Sequence, residues 1–445
     1  MIRKYLYNIM QNLKGNSSKE QYDQIKYLYS EDEFYNFYKT YFKKILLHAH
    51  KNVPFFFQRL KKADVINNGT VYLSEFNRLP LLKKDDIRNH INKLTSRDID
   101  QRKWHYHKTS GSTGEPLCFI QDKLENKWRN ATQRYYFEHI VGIDELAAKK
   151  VMLAFSRAIF EGNIRFRQKV KQWLKNAIYL NTLKIRKTDM EHFTKIIDSN
   201  KPDMIEGRPS VLYELCKFLQ RNGKTIHKPQ AVVSSAEKLE GYMRDTIEGI
   251  FGTNVYDFYG ATEAHAIAGE CKAGLLHIFT FNNYVEILDE HNRPVREGEM
   301  GRIVVTPLHN YSMPLIRYEI GDMAILGPKR CKCGNTLPTL KEVVGRSSDF
   351  FIKEDGSLII GTFFRRLFFM KEWIKYFQII QEDYKKVRIL VVPYDSVNDA
   401  KKQAVEQKIK SVMGKDCKMI WEIVDEIPRT QDGKYFYIKS LLYDS

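Results

Sequence analysis

Phe34, Tyr35, Tyr38, Tyr41, Phe42 and Ile45 recur at helical spacing and predict one packed helical stripe in a mostly helical first hundred residues. Leu79-Pro80-Leu81 before Lys83-Lys84-Asp85-Asp86 predicts a turn into a further short helix, and Cys118-Phe119-Ile120 a strand. From about 120 to 260 short apolar runs alternate with helical periodicity. Val151–Phe155 and Ala231–Val233 predict strands, and Ser210–Leu219 behind Pro209 predicts a helix. That alternation predicts α/β layers around a largely parallel sheet. From about 275 to 345 the period becomes two: Tyr284–Leu288 and Gly301–Thr306 flank turns at Asn292-Arg293-Pro294 and Glu297-Gly298-Glu299, which predicts a β subdomain. The last hundred residues predict a small α+β module: strands at Phe377–Gln381, Val387–Val392 and Met419–Val424 and a helix at Ala400–Met413. The expected boundary is the Gly345-Arg346 turn, giving a large domain 1–345 and a small one 346–445.

Composition narrows the class. The chain has 445 residues, more than one core usually serves. An apolar fraction of 43% is that of a globular protein. The net charge of +18 attracts polyanions or anionic surfaces. No arginine-rich arm or nucleic-acid motif accompanies it, so no nucleic-acid partner is expected. Peripheral contact with an anionic membrane is compatible with the charge, but no amphipathic anchor stands out. The first fifteen residues lack an apolar h-region, no stretch is long enough to span a membrane, and six cysteines in so long a chain imply reduced thiols. A cytoplasmic location is the expectation.

Two clusters suggest chemistry. Lys108-Thr109-Ser110-Gly111-Ser112-Thr113-Gly114-Glu115-Pro116 combines glycines, which let the backbone approach an anion, with hydroxyl donors. It suits phosphate oxygens, although a solvated turn has the same composition. It is not a Walker A loop, because Glu115 stands where that motif has lysine. Cys271, His277, Cys331 and Cys333 make a set suited to a closed, structural Zn²⁺ site. The alternative is free thiols in a loop held by packing.

Five stretches in order then resemble the adenylate-forming superfamily of acyl- and aryl-CoA ligases. They are Thr109–Pro116; Ser234-Ser235-Ala236-Glu237; Tyr259-Gly260-Ala261-Thr262-Glu263; Tyr318-Glu319-Ile320-Gly321-Asp322 with Gly345-Arg346-Ser347-Ser348-Asp349; and Pro428–Lys434. Within it the chain is most similar to the phenylacetate–CoA ligase branch, and especially to CapK-type proteins of capsular polysaccharide biosynthesis; Phe377–Gln381 is the kind of stretch those proteins carry.

The resemblance implies a large adenylation domain and a small mobile C-terminal domain. It implies ATP and Mg²⁺, a small-molecule carboxylate activated as an acyl-adenylate, and acyl transfer to an acceptor. Lys434, Glu263 and Thr109 are the implied catalytic residues, with Lys434 at the α-phosphate and Glu263 on Mg²⁺. Ser110, Gly111, Ser112, Thr113 and Gly114 would hold phosphate. Ser235, Ala236 and Glu237 would line the adenine and α-phosphate region. Tyr259, with Gly260, Ala261 and Thr262, would face adenine, Asp322 would accept from the ribose hydroxyls, and Arg346 would stand near the nucleotide. Arg157 and Arg208 fall where the branch builds its acyl pocket. Features that bind CoA are not recognisable, so the acceptor stays open between a sugar amine or hydroxyl and CoA. A non-catalytic nucleotide-binding scaffold is the alternative from another class.

Overall fold

The computed structural model describes residues 2–108, 117–154, 166–182, 187–346, 350–355, 358–369, 371–394, 396–427 and 436–443. It divides into two compact units that meet in sequence between Val344 and Gly345.

The first unit opens with helices α1 (Ile2–Leu13), α2 (Lys19–Ile25), α3 (Glu31–Asn52) and α4 (Pro54–Lys62). A reciprocal capping box between Ser30 and Glu33 starts α3, and Pro54 occupies the first turn of α4, where its missing N–H costs nothing. The expected stripe holds for Phe34, Phe42 and Ile45, which are buried. Tyr35 departs from it: it is exposed and packs edge-on against Tyr38. A short hairpin, β1 (Ile66–Asn67) with β2 (Thr70–Val71), precedes α5 (Lys84–Leu94). A second hairpin pairs β3 (Trp104–Lys108) with β4 (Cys118–Asp122), and α6 (Lys123–Tyr135) follows it.

One sheet of eleven strands carries the unit. Its parallel half contains β5 (Lys150–Ala154), β6 (Ala177–Asn181), β7 (Met204–Gly207), β8 (Ala231–Ser235) and β9 (Val255–Ala261). Helices α7 (Phe166–Lys175), α8 (Lys187–Asn200), α9 (Pro209–Arg221) and α10 (Gly241–Phe251) lie between these strands in sequence. The antiparallel half contains β10 (His265–Glu270), β11 (Leu276–Ile278), β12 (Asn283–Leu288), β13 (Met300–Pro307), β14 (Tyr318–Leu326) and β15 (Thr339–Arg346). The strand order is β12-β13-β14-β15-β11-β10-β9-β8-β7-β5-β6. The expected β subdomain is therefore continuous with the parallel sheet. Its residues share one core with α3 and α4, through Phe42, Leu46, Phe56, Ile303, Val305 and Tyr318.

Buried Arg317 ties the N-terminal segment to this sheet. Its guanidinium donates to the Glu286 carboxylate at 3.0 Å and to the carbonyls of Asn77 and Leu79, each at 2.6 Å. Beside it, Leu82 exchanges backbone hydrogen bonds with Arg317 and Glu319.

The second unit has a four-stranded sheet in the order β20-β19-β18-β21. The strands are β18 (Ile374–Asp383), β19 (Lys386–Pro393), β20 (Lys418–Ile423) and β21 (Ile438–Ser440). A hairpin of β16 (Phe350–Ile352) and β17 (Leu358–Ile360) precedes them. Helix α12 (Asp399–Met413) forms as the sequence predicts. Helix α11 (Gly361–Phe369) was not foreseen, and it buries Phe364 and Phe368 against Phe377 and Ile379.

Candidate active site

Three strand ends of the first unit carry three of the five motifs. Gly260 shows how tightly the second half of the sheet is built there. A Cβ at Gly260 would lie 2.2 Å from the His265 carbonyl oxygen, so the Tyr-Gly pair of this motif leaves no room for a side chain. Thr262 is held by its carbonyl, which accepts from the Gln121 amide of β4 at 2.7 Å. Ala236, just past β8, sits at φ +70°, a left-handed conformation uncommon for a residue with a Cβ.

The acids of two motifs are braced reciprocally. The Tyr259 hydroxyl donates to Asp322 Oδ2 at 2.6 Å, and the Tyr318 hydroxyl donates to Glu263 Oε1 at 3.2 Å. Each tyrosine precedes its own motif's acid by four residues and holds the other motif's acid. Tyr318 and Glu263 are buried, while Tyr259 and Asp322 are half-buried. One oxygen of Asp322 thus already accepts a hydrogen bond before any ribose hydroxyl is considered. Glu237 pairs with Arg208 at 3.8 Å and accepts from the Ser210 N–H at 3.4 Å, so Arg208 is engaged with a motif residue. Ser234 donates to Asp257 at 2.7 Å. Burial pushes the Asp257 carboxyl up to about 7, and burial likewise lifts Glu206 to about 7.

Thr109, Ser110, Gly111, Ser112, Thr113, Gly114, Arg157 and Lys434 lie outside the described residues. Arg346 ends β15.

The four expected metal-binding residues come together: Cys271 just past β10, His277 in β11, and Cys331 and Cys333 in the segment between β14 and β15. Their ligand atoms lie within 4.8 Å of one another. Ligand atoms around a tetrahedral zinc stand roughly 3.8 Å apart. The Cys271 and Cys331 sulfurs are 3.5 Å apart, and His277 Nε2 is 3.2 Å from Cys333 Sγ. His277 Nδ1 bonds the Leu337 carbonyl, which fixes the tautomer that leaves Nε2 for a metal. Backbone N–H groups of Ala273, Cys333 and Asn335 point at the three sulfurs at 3.4–3.5 Å. Three soft sulfurs and one imidazole suit Zn²⁺, and four protein ligands leave no open position, so such an ion would be structural.

A buried polar cluster beside the Glu263 motif was not read from the sequence. Glu125 of α6 is buried and, among the described residues, neither of its oxygens has a hydrogen-bond partner, nor has His265 Nε2, which lies 4.0 Å from Glu125 Oε1. Burial pushes the Glu125 carboxyl well above the usual range and His265 down to about 3. His105 and His107 of β3 touch through their Nε2 atoms at 2.7 Å nearby. No motif signals this cluster, because its members come from three elements.

Comparison with known proteins follows the same division. Residues 109–310 match the AMP-binding enzyme family and residues 351–441 the CapK C-terminal domain. The chain is 25% identical to Protein CapK of Staphylococcus aureus, over 96% of this chain and 95% of that one. It is 24% identical to a phenylacetate-coenzyme A ligase of Thermus thermophilus, over 88% of this chain and 93% of that one. A 2-hydroxyisobutyryl-CoA ligase in its postadenylation state superposes with a TM-score of 0.69 at 20% identity, covering 93% of this chain and 90% of that one, which shows a shared fold. With its AMP-binding segment followed by a CapK C-terminal domain, the chain is a CapK-type, phenylacetate–CoA ligase-like member of the adenylate-forming superfamily.

Proposed function

We propose that this ATP-dependent, AMP-forming ligase activates a small carboxylic acid as its acyl-adenylate and passes the acyl group to a sugar amine or hydroxyl of a surface-polysaccharide precursor. The reciprocal brace carries the proposal, because it holds two acids with separate tasks on neighbouring motifs. Asp322 offers carboxylate oxygens to ribose hydroxyls. Glu263 accepts from Tyr318 through one oxygen and offers the other to Mg²⁺, a hard cation suited to carboxylate and phosphate oxygens. Tyr259 directly precedes Gly260, which has no room for a Cβ, and its hydroxyl reaches the Asp322 carboxylate. Thr109–Gly114 hold the β- and γ-phosphates.

In the first step a substrate carboxylate oxygen bonds to the α-phosphorus of ATP and the bond to the bridging oxygen of pyrophosphate breaks. Lys434 neutralises the charge that develops there. In the second step the acceptor's nucleophilic atom bonds to the acyl carbon, AMP leaves with the electron pair, and the acceptor loses a proton. CoA as the acceptor is the second reading, favoured by the phenylacetate-coenzyme A ligase relative that aligns over 88% of this chain.

ATP–pyrophosphate exchange tests the proposal, with amino, hydroxy and aryl acids offered singly. One acid class should support Mg²⁺-dependent exchange, and Lys434→Ala should lower it roughly 100- to 1,000-fold, the usual loss for one preorganised donor. Full exchange in the variant, or no ATP binding by the wild type, would overturn the proposal. The acceptor is read separately, by offering CoA and sugar amines to enzyme loaded with the acyl-adenylate.

A further inference from the structure

Helix α1 is inside out. Ile2, Leu6, Ile9 and Leu13 follow one another at three- and four-residue spacing and form a single apolar stripe, with Tyr5 beside it. Such a stripe normally faces the core. Here Ile2 is 77% exposed, Tyr5 68% and Leu13 84%, Leu6 and Ile9 are exposed too, and no residue of the helix is buried. The opposite side, where Tyr7, Met10 and Gln11 are half-buried, holds the helix down with the help of two cations. Arg3 donates to the carbonyls of Leu174 (2.7 Å) and Leu146, and Lys4 pairs with Asp144. Helix α7, which packs beside α1, adds a Trp173 that is 56% exposed and an exposed Val170.

A basic cavity adjoins the end of this helix. It has a volume of about 330 Å³ and is lined by Gly15, Arg102, Lys103, Lys123 and Lys127, with Asp122 and Leu124. Lys123 Nζ donates to the Lys14 carbonyl at 2.8 Å, which joins the cavity to the turn that ends α1. The one acid in the lining is already engaged. The Asp122 carboxylate accepts from the Tyr311 and Ser312 N–H groups at 2.6 and 2.9 Å and from the Ser312 hydroxyl. Arg102 is paired with Asp98 at 2.6 Å. Against that single carboxylate, Lys103, Lys123 and Lys127 leave the cavity net positive. Leu124 and Trp104 are exposed beside it.

We propose that α1 and this cavity form a peripheral docking surface for an anionic membrane. The apolar stripe enters the boundary between headgroups and acyl chains, and the lysines take lipid phosphate. An exposed apolar helix face with basic residues and an aromatic flank has the composition of an interfacial helix, and the chain's charge of +18 draws it to an anionic surface. No helix among the described residues is long and apolar enough to cross a membrane, so attachment at this surface is peripheral. The proposal does not rest on the ligase chemistry.

Flotation with vesicles tests it, using phosphatidylcholine alone and phosphatidylcholine containing one-third phosphatidylglycerol. The full chain should float with the anionic vesicles and not with the neutral ones. Leu6→Glu/Ile9→Glu and Lys123→Gln/Lys127→Gln should each lower the bound fraction about tenfold or more. Leu6→Glu/Ile9→Glu should keep the wild-type melting temperature and pyrophosphate exchange, because both side chains already face solvent. Equal flotation of that variant, or no flotation of the wild type, overturns the proposal. So does a wild-type dimer in sedimentation velocity that the same substitutions dissociate, since the stripe would then be covered by a second copy.

Discussion

Replacing Cys333 by serine is the most direct probe of the Cys/His centre. Cys333 is half-buried, so the change leaves no large cavity, but it takes one sulfur from the set. Cys271 and Cys331 are 60 residues apart in sequence. A cross-link closing a loop of that length would contribute about 4 kcal/mol on chain entropy alone. That figure is an upper bound. Leu276 and His277 of β11 already pair with Leu340 and Thr339 of β15, so much of the loop is closed without metal. Losing a bound zinc would therefore cost about 2–3 kcal/mol, which in a unit of this size lowers the melting temperature by about 3–4 °C. Elemental analysis should find one zinc per chain in the wild type and much less in Cys333→Ser, and scanning calorimetry should show the shift. A strong chelator should bring wild type to the same melting temperature and leave the variant unmoved. Zinc-free wild-type protein, or a chelator without effect on its melting, would refute the reasoning and leave four thiol and imidazole groups held by packing.

Three further outcomes are expected. Tyr259→Phe removes the hydrogen bond to Asp322 and should raise KM for ATP about tenfold with little change in kcat, as expected for one hydrogen bond to a charged group; an unchanged KM in steady-state kinetics would sink that assignment. Gly260→Ala puts a methyl 2.2 Å from a backbone oxygen and should give insoluble protein or a melting temperature lowered by about 5 °C or more, whereas Gly249→Ala, which meets nothing within 4 Å, should be neutral or better. Asp257 has its carboxyl raised by burial from 3.8 to about 7, so the unfolded chain ionises first as pH rises. Its contribution to stability is intact below about pH 4 and is lost progressively toward pH 7, by at most about 4 kcal/mol. Asp257→Asn should flatten the stability–pH curve between pH 4 and 7 in urea titrations, and an unchanged slope would refute the shift.

What could be read from the sequence was local. Period-two alternation located Tyr284–Leu288 and Gly301–Thr306, and Pro209 located the start of α9, because those signals sit within a few residues. The metal set was legible because sulfur and imidazole are scarce ligand types, although β10, β11 and β15 do the work of gathering them. The joining of the β region to the parallel sheet was not legible, since it depends on the β11–β15 pairing across more than sixty residues. Glu125 and His265 were missed for the same reason: α6 and β10 meet only in the folded unit. Helix α11 falls in a stretch for which the sequence analysis predicts no element. Phe364 and Phe368, four apart, carried the helical period. The stripe of α1 was there to be read, but its direction depends on Arg3 and Lys4 finding partners on the surface of the unit.

The tyrosine brace explains why two short motifs act as one site. Tyr259 to Glu263 and Tyr318 to Asp322 share one spacing, a tyrosine four residues before an acid, yet β9 and β14 are not neighbours in the sheet. A tyrosine that held its own acid would stiffen one strand end and leave the other free. Crossing the pairs fixes the distance between the two acids, because moving either strand end breaks both bonds. The Tyr318 half is buried, where an unpaired carboxylate is costly, and its hydrogen bond, at 3.2 Å, is longer than the 2.6 Å bond of the Tyr259 half. The Tyr259 half is only half-buried. Rigidity would thus lie on the side proposed to hold Mg²⁺ and access on the side proposed to receive the ribose. Arg317, immediately before Tyr318, extends the rigid side through Glu286, Asn77 and Leu79 into the N-terminal segment. The placement of Glu263 therefore depends on residues far from it in sequence that no motif search would select.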